Sequence, residues 1–324
     1  MSRAHWTDPA FVAAAQAWMS DVASERGIEL AGPIEQPHVR PWSTVFRAHA
    51  ATGALYLKAC AATQRFEPAI IELVAREAPG LGPDLLAIHP SEPWVILGEA
   101  GDQLREHAAG RTQLAVWREL LPRYAELQRR LSGRDGELVA LGLPDRRLDR
   151  IPALLERVLS DDRSGAAEPR ERVAALLPAI RRACAELAAL GIGPTLDHDD
   201  LHDHNVLVRG RRPVIIDWGD ASLTHPFLTL AVTLDFAARG AGCETGAPEI
   251  LALRDAYLEP WATGAAPEAL RRGAEIGAAL GTITRALTWS EIITRLDGAL
   301  AEEPGEMSAL LERTAHAIGG LGSV

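Results

Sequence analysis

The chain reads as an α+β protein of two lobes: a small β-rich N-terminal lobe carrying a helix, residues 1–97, and a larger, mainly helical C-terminal lobe, residues 98–324. Three observations carry that reading. Residues 36–60, 85–88 and 94–97 hold apolar runs of strand length. From Thr112 onward the apolar residues recur at the spacing of a helix face. That helical stretch is interrupted by two short apolar runs, 206–208 and 214–216, on either side of Arg209-Gly210-Arg211-Arg212, which is the pattern of a β-hairpin.

The elements follow in order. Thr7-Asp8-Pro9 opens a helix with a capping side chain and a proline at an early position, and Phe11, Val12, Ala15, Trp18, Met19 and Val22 give it one apolar face before Gly27 ends it. Strand material fills residues 36–60 and ends in Ala54-Leu55-Tyr56-Leu57-Lys58-Ala59-Cys60. A second helix begins near Arg65-Phe66-Glu67-Pro68 and runs to Arg76. Trp94-Val95-Ile96-Leu97-Gly98-Glu99 is an apolar strand leading into polar residues, suited to a hinge between the lobes. In the second lobe Leu114, Trp117, Leu120, Leu121, Tyr124 and Leu127 line one face of a long helix. Another long helix is predicted across 170–190, after a loop containing Asp161, Asp162, Ser164 and Gly165.

A hydrophobic content of 47% in 324 residues provides ample core. The net charge of −11 argues against nucleic acid as the main partner. Three dispersed cysteines, Cys60, Cys184 and Cys243, indicate a reducing compartment with neither a disulfide framework nor structural zinc. No apolar run approaches the roughly 20 residues that span a bilayer, so a cytoplasmic protein without a membrane partner is expected; the oligomeric state is not legible.

The chemistry is concentrated in Leu196-Asp197-His198-Asp199-Asp200-Leu201-His202-Asp203-His204-Asn205, and in Ile215-Ile216-Asp217-Trp218 after the hairpin. Asp200 follows His198 by two residues and precedes Asn205 by five, the spacing that protein kinases use in their catalytic loop. One carboxylate there can orient an attacking hydroxyl while a nearby amide oxygen coordinates a cation, making Asp200 the candidate base and Asn205 a candidate metal ligand. Asp217 at the strand end can complete the oxygen-rich shell that Mg2+ prefers. His198 is expected to brace the loop, and His202 to lie near the transferred group.

These two motifs resemble those of the aminoglycoside phosphotransferase family, a branch of the protein-kinase-like fold with His-Gly-Asp-Leu-His-x-x-Asn followed by an apolar strand ending in Ile-Asp-Trp or Ile-Asp-Phe. The resemblance implies a two-lobed small-molecule kinase using ATP and Mg2+. The chain departs from the pattern at Asp199, where the family usually has Gly, at Asp203-His204, where Pro-Gly is common, and at Thr229, where a second Asp is usual.

Lysine usage adds an independent signal, because Lys58 is the sole lysine beside 32 arginines. A compact ammonium on an apolar strand suits nucleotide phosphates and a helix carboxylate, for which a guanidinium is no equivalent. Glu67, sharing a face with Ile71 and Val74, is the preferred partner; Glu72 is the alternative and has Arg76 four residues on. Ser43 and Thr44 are placed in the turn of a nucleotide lid, and Leu97 and Glu99 at the adenine edge. Residues 219–324 hold 14 acidic residues against 7 arginines. Such acidity belongs either to a solvated helix surface or to a pocket for a small cationic hydroxyl acceptor such as an amino sugar, an amino alcohol or an antibiotic-like molecule, with Asp220, Asp255 and Trp289 as candidate contacts and Tyr257 and Trp261 as further pocket lining. Two other readings stand beside it: a metal-dependent hydrolase using His198, His202 and His204, and a catalytically silent nucleotide-binding pseudokinase.

Overall fold

Asp8 opens the first substantial helix in the manner its sequence dictates: its carboxylate accepts hydrogen bonds from the amides of Ala10 and Phe11, and Pro9 takes a position whose missing N–H costs nothing. The structure, a computed structural model, describes residues 3–163, 165–210, 212–262, 266–296 and 305–321, so Ser164 and Arg211 lie outside the described residues. A short helix α1 (Arg3–Trp6) precedes α2 (Pro9–Glu25). Trp6 is buried, with Phe11 edge-on at 5.2 Å and Trp94 edge-on to Phe11 at 5.5 Å, which fastens α2 to the sheet behind it.

That sheet has five strands in the order β1 (Leu30–Val39), β2 (Ser43–Ala50), β3 (Leu55–Cys60), β5 (Trp94–Gly98), β4 (Leu85–Ile88), all antiparallel. Helix α3 (Glu67–Glu77) buries Ile70, Ile71, Leu73 and Val74. In β3 the register sets Lys58 opposite Val45 of β2 and Val95 of β5.

The chain leaves the sheet at Gly98 and continues through β6 (Asp102–Gln103), α4 (Leu104–His107), α5 (Gln113–Leu131), α6 (Asp135–Ala140) and α7 (Ile151–Leu159). On α5, Trp117, Leu120, Leu121, Tyr124 and Leu127 are fully buried, as their spacing predicts. The single helix expected over 170–190 is two, α8 (Ala167–Ala175) and α9 (Leu177–Ala188). Pro178 explains the break: its ring would collide with a carbonyl one turn earlier in a continuous helix, so it sits instead in the first turn of α9.

The motif region contains more strand than expected. Besides the hairpin β8 (Val206–Arg209) and β9 (Arg212–Ile215), two three-residue strands, β7 (Thr195–Asp197) and β10 (Ser222–Thr224), pair antiparallel. Such strands are too short to show a period in sequence. Their pairing holds the residues just before the catalytic loop against those just after Asp217. Helices α10 (Leu230–Ala241), α11 (Pro248–Leu258), α12 (Pro267–Arg295) and α13 (Glu306–Gly320) complete the lobe. Among the described residues no helix is long and apolar enough to cross a membrane.

Candidate active site

Lys58 projects from β3 into the space between the lobes, where its ammonium lies 2.7 Å from Glu67 Oε1 and 2.6 Å from Asp217 Oδ1. Glu67 is fully buried at the first turn of α3, where a negative charge is favoured by the helix dipole, and its second oxygen accepts a hydrogen bond from Cys60 Sγ at 3.1 Å. Glu72 is exposed on the opposite side of the helix. Burial pushes Glu67 up from the usual carboxylate range despite Lys58. Burial would equally lower Lys58, but the charges of Asp217 and Glu67 outweigh it and keep the ammonium protonated.

The catalytic loop is held from several directions. His198 is fully buried; its Nε2 meets the Ile216 carbonyl at 2.9 Å and its Nδ1 accepts from the Asp200 amide at 3.3 Å, so burial, which lowers its pKa, leaves a neutral brace. Tyr124 receives the His198 amide at 2.9 Å, and Thr233 donates to the Leu201 carbonyl at 3.0 Å. These contacts support the loop with Thr229, itself buried, in the family's Asp position. Asn205 donates its amide nitrogen to the Asp200 carbonyl at 2.9 Å, which fixes the side chain and leaves its oxygen as an acceptor. Asp217 adopts left-handed backbone (φ 63°), and Lys58 engages only its Oδ1 while the side chain stays 48% exposed. Loss of water on the side facing the protein would raise Asp217; Lys58 more than offsets this and holds it below the usual range.

Asp199 also has φ 63°, the conformation for which Gly is the natural choice and which Asp tolerates. Its carboxylate is buried against Arg146 at 3.2 Å and the Thr288 hydroxyl at 2.8 Å, and Arg146 is itself only 3% exposed. Asp203 pairs with Arg105 at 3.3 Å. The extra acids in the loop are therefore compensated one by one.

Arg285 is the largest addition to what the sequence suggested. One Nη lies 3.1 Å from Asp200 Oδ1 and the other 2.8 Å from Asp220 Oδ2. Gly273, Gly277 and Gly281 explain how it arrives there: at four-residue spacing they form a flat stripe on α12, and a Cβ at Gly277 or Gly281 would fall 2.5 Å from Phe227 Cβ or 2.1 Å from the Leu228 carbonyl oxygen. The helix backbone thus lies directly on residues 226–229, and the next residue on the stripe is Arg285. Burial would raise Asp200, but Arg285 and His202 hold it well below the usual range. For Asp220 burial prevails and its acidity is weakened.

Several sequence expectations change. Asp220 is no free carboxylate, since Arg285 and the Gln64 amide (3.1 Å) occupy both of its oxygens. Asp255 is tied to Arg254 at 2.8 Å and Arg271 at 3.1 Å on the flank of α11, and does not line the site. Other acids of the last third, Asp235 and Glu249, are likewise paired, with Arg239 and Arg111. Ser43 and Thr44 are buried in β2 instead of lying in the lid turn; Thr44 Oγ1 donates to the His38 carbonyl at 2.7 Å because the turn closes earlier, at residues 40–42. Glu99 accepts from the Ala54 amide at 2.9 Å, so its carboxylate ties down the β2–β3 turn, while its carbonyl receives Arg209 at 3.1 Å; Leu97 lies beside Tyr56 in the sheet. Tyr257 and Trp261 are core residues. Trp289 meets Trp42 of the β1–β2 turn edge-on at 5.8 Å, joining that turn to α12.

Asn205 and Asp217 present oxygen donors of the kind Mg2+ prefers. The three histidines do not converge as zinc ligands would: both ring nitrogens of His198 meet backbone, His202 stacks on Phe236 at 4.7 Å, and its Nδ1 accepts from the His204 amide. Among the described residues no group of three or more His, Cys, Asp and Glu side chains forms a metal site. His202 Nε2 is 3.4 Å from Asp200 Oδ2, so the candidate base has a neighbour on each oxygen.

Arg146, Asp197 and Arg285 were not singled out from sequence. The signals that could have led to them are the departure from Gly at Asp199, which calls for a compensating cation, and the four-residue spacing of Gly273, Gly277 and Gly281, which marks a close helix contact; neither names the partner.

The sequence model described as the phosphotransferase enzyme family matches residues 48–271. No curated protein matches the chain by sequence. Among solved structures, a choline/ethanolamine kinase family protein from Mesorhizobium loti is 22% identical, with 89% of this chain and 92% of that chain covered and a TM-score of 0.55. Plasmodium vivax ethanolamine kinase is 12% identical over 93% of this chain and 85% of its own, with a TM-score of 0.63. A spectinomycin phosphotransferase in complex with ADP and spectinomycin is 14% identical over 95% and 98%, with a TM-score of 0.53. At such identities the likeness is one of fold, the two-lobed protein-kinase-like arrangement of a β-rich and a helical lobe.

Proposed function

The chain belongs to the phosphotransferase enzyme family, and from that premise we propose that it is an ATP-dependent kinase that moves the γ-phosphoryl group to a hydroxyl of a small molecule. The observation that carries the proposal is Lys58, the sole lysine, bridging Glu67 of the N-terminal lobe and Asp217 of the C-terminal lobe. Such a bridge sets an ammonium where nucleotide phosphates would pass between the lobes.

In this reading Lys58 contacts the phosphates while Glu67 keeps it in place and charged. Asn205 and Asp217 would hold Mg2+, which when bound neutralises the phosphate oxygens. Asp200 receives the acceptor hydroxyl and orients it toward the phosphorus. A weakly basic carboxylate suffices there, because the transition state is loose and the proton leaves late. His198 fixes the loop through its two backbone contacts, and His202 stands beside Asp200 Oδ2. Catalysis is then positioning plus electrostatic stabilisation. The related structures differ in acceptor, with ethanolamine in the name of one and spectinomycin bound in another, so the fold does not choose among hydroxyl compounds.

Thermal unfolding with ATP alone, Mg2+ alone and both together tests the reading. Joint stabilisation by ATP and Mg2+, abolished in Asp217→Asn and retained in Asp200→Asn, is expected, since a ligand selective for the folded state raises its stability. Equal stabilisation of wild type and Asp217→Asn, or none in wild type, would refute the assignment of Asp217.

A further inference from the structure

An acceptor carrying an ammonium is best held by a free carboxylate near the hydroxyl it presents; around the candidate base Asp203 pairs with Arg105, Asp217 with Lys58 and Glu291 lies 3.8 Å from Arg146, which leaves Asp199 and Asp220. Neither is free. Arg146 and Thr288 hold Asp199 in a buried cluster. Arg285 bridges Asp200 and Asp220 with its two terminal nitrogens at 3.1 and 2.8 Å, and its Nη1 is also 3.9 Å from Asp199. Gln64 holds the other oxygen of Asp220 at 3.1 Å. The guanidinium is no mobile surface group: its side chain is 14% exposed, and the stripe of Gly273, Gly277 and Gly281 fixes its helix against residues 226–229.

We propose that Arg285 is a resident cation, occupying the position that an acceptor's ammonium would take, so that the hydroxyl brought to Asp200 belongs to an uncharged polyol or sugar and not to an amino alcohol. Arg285 is thereby a specificity-determining residue; the inference rests on the phosphotransferase reading for the role of Asp200. The physical argument is one of competition. An acceptor ammonium must either take a carboxylate from Arg285, leaving a largely buried guanidinium with one partner fewer, or lie beside it as a like charge. A neutral polyol requires neither, since hydroxyls donate to carboxylate oxygens and accept from guanidinium N–H groups. The Arg285 bridge also fixes Asp200 Oδ1, so the acceptor hydroxyl would meet Oδ2, beside His202 Nε2 at 3.4 Å.

Calorimetric titration of ethanolamine and choline into wild type and Arg285→Ala, each with Mg2+ and a non-hydrolysable ATP analogue, tests this. Arg285→Ala is expected to bind ethanolamine roughly tenfold or more tightly than wild type, the gain of one newly available carboxylate. Adding Asp220→Asn to Arg285→Ala is expected to remove the gain, and free guanidinium at millimolar concentration to compete with it. Wild type binding ethanolamine as tightly as Arg285→Ala overturns the proposal, as does a gain that survives Asp220→Asn. Should Arg285→Ala not unfold cooperatively, Arg285→Gln keeps a hydrogen bond without the charge and must show the same gain; its failure to do so is equally decisive. The stabilisation of wild type by ATP and Mg2+ is read separately: its loss refutes the phosphotransferase reading, whereas the ethanolamine titrations judge Arg285.

Discussion

Restoring the family's glycine at position 199 is expected to weaken this protein. Asp199 pays for left-handed backbone, and a glycine would recover about 1 kcal/mol of that strain. The same change strips the carboxylate from Arg146, which is 3% exposed and 3.2 Å away. Removing one member of a buried ion pair costs about 3–5 kcal/mol, because the other charge stays out of water without compensation. Arg146 keeps the Thr284 carbonyl and the Thr288 hydroxyl, and Glu291 is 3.8 Å away, which puts the cost at the lower end. The net loss for Asp199→Gly is therefore about 2–3 kcal/mol. Equilibrium urea unfolding at neutral pH would register this as a lower midpoint. Asp199→Asn should fall between, keeping tolerance of the backbone conformation and one acceptor for Thr288, and Arg146→Met combined with Asp199→Gly should recover most of the loss by removing the stranded charge. An Asp199→Gly protein as stable as wild type would refute the view that the Arg146 pair, and not the backbone, decides the residue at this position.

Two further outcomes are expected. Asp197 is fully buried, and burial together with the charge of Asp199 raises its pKa from 3.8 to about 8. The folded state therefore holds a proton that the unfolded chain releases, so this contribution to stability is full below about pH 4 and is lost as pH rises through about 8. Asp197→Asn should flatten that fall, and thermal unfolding at several pH values would disprove it by showing parallel curves for the two proteins. Lys58→Arg should reduce phosphoryl transfer roughly ten- to hundredfold despite its retained charge, because a planar fork cannot reproduce a single nitrogen held at 2.7 and 2.6 Å from two lobes; steady-state ATP turnover at the wild-type rate would dismiss the argument.

The sequence alone determined whatever depends on residues close along the chain. The spacing of His198, Asp200 and Asn205, the hairpin leading to Asp217, the Asp8-Pro9 helix start and the apolar face of α5 all follow from backbone periods and local hydrogen bonding. Lys58 was legible for another reason, its isolation among 32 arginines. Glu67 could be preferred over Glu72 because helical spacing separates a buried face from an exposed one. Only the tertiary structure decided which charges were free. Asp220 and Asp255 look alike in sequence, yet one lies between Arg285 and Gln64 and the other on an outer helix flank. Arg285 reaches Asp200, and Arg146 reaches Asp199, only because α12 and the segment before α7 pack against the catalytic loop. Ion pairing acts through space, whereas periodicity constrains only neighbours along the chain; whether a carboxylate attracts a ligand or is spent on an internal guanidinium is settled when helices pack and water is excluded.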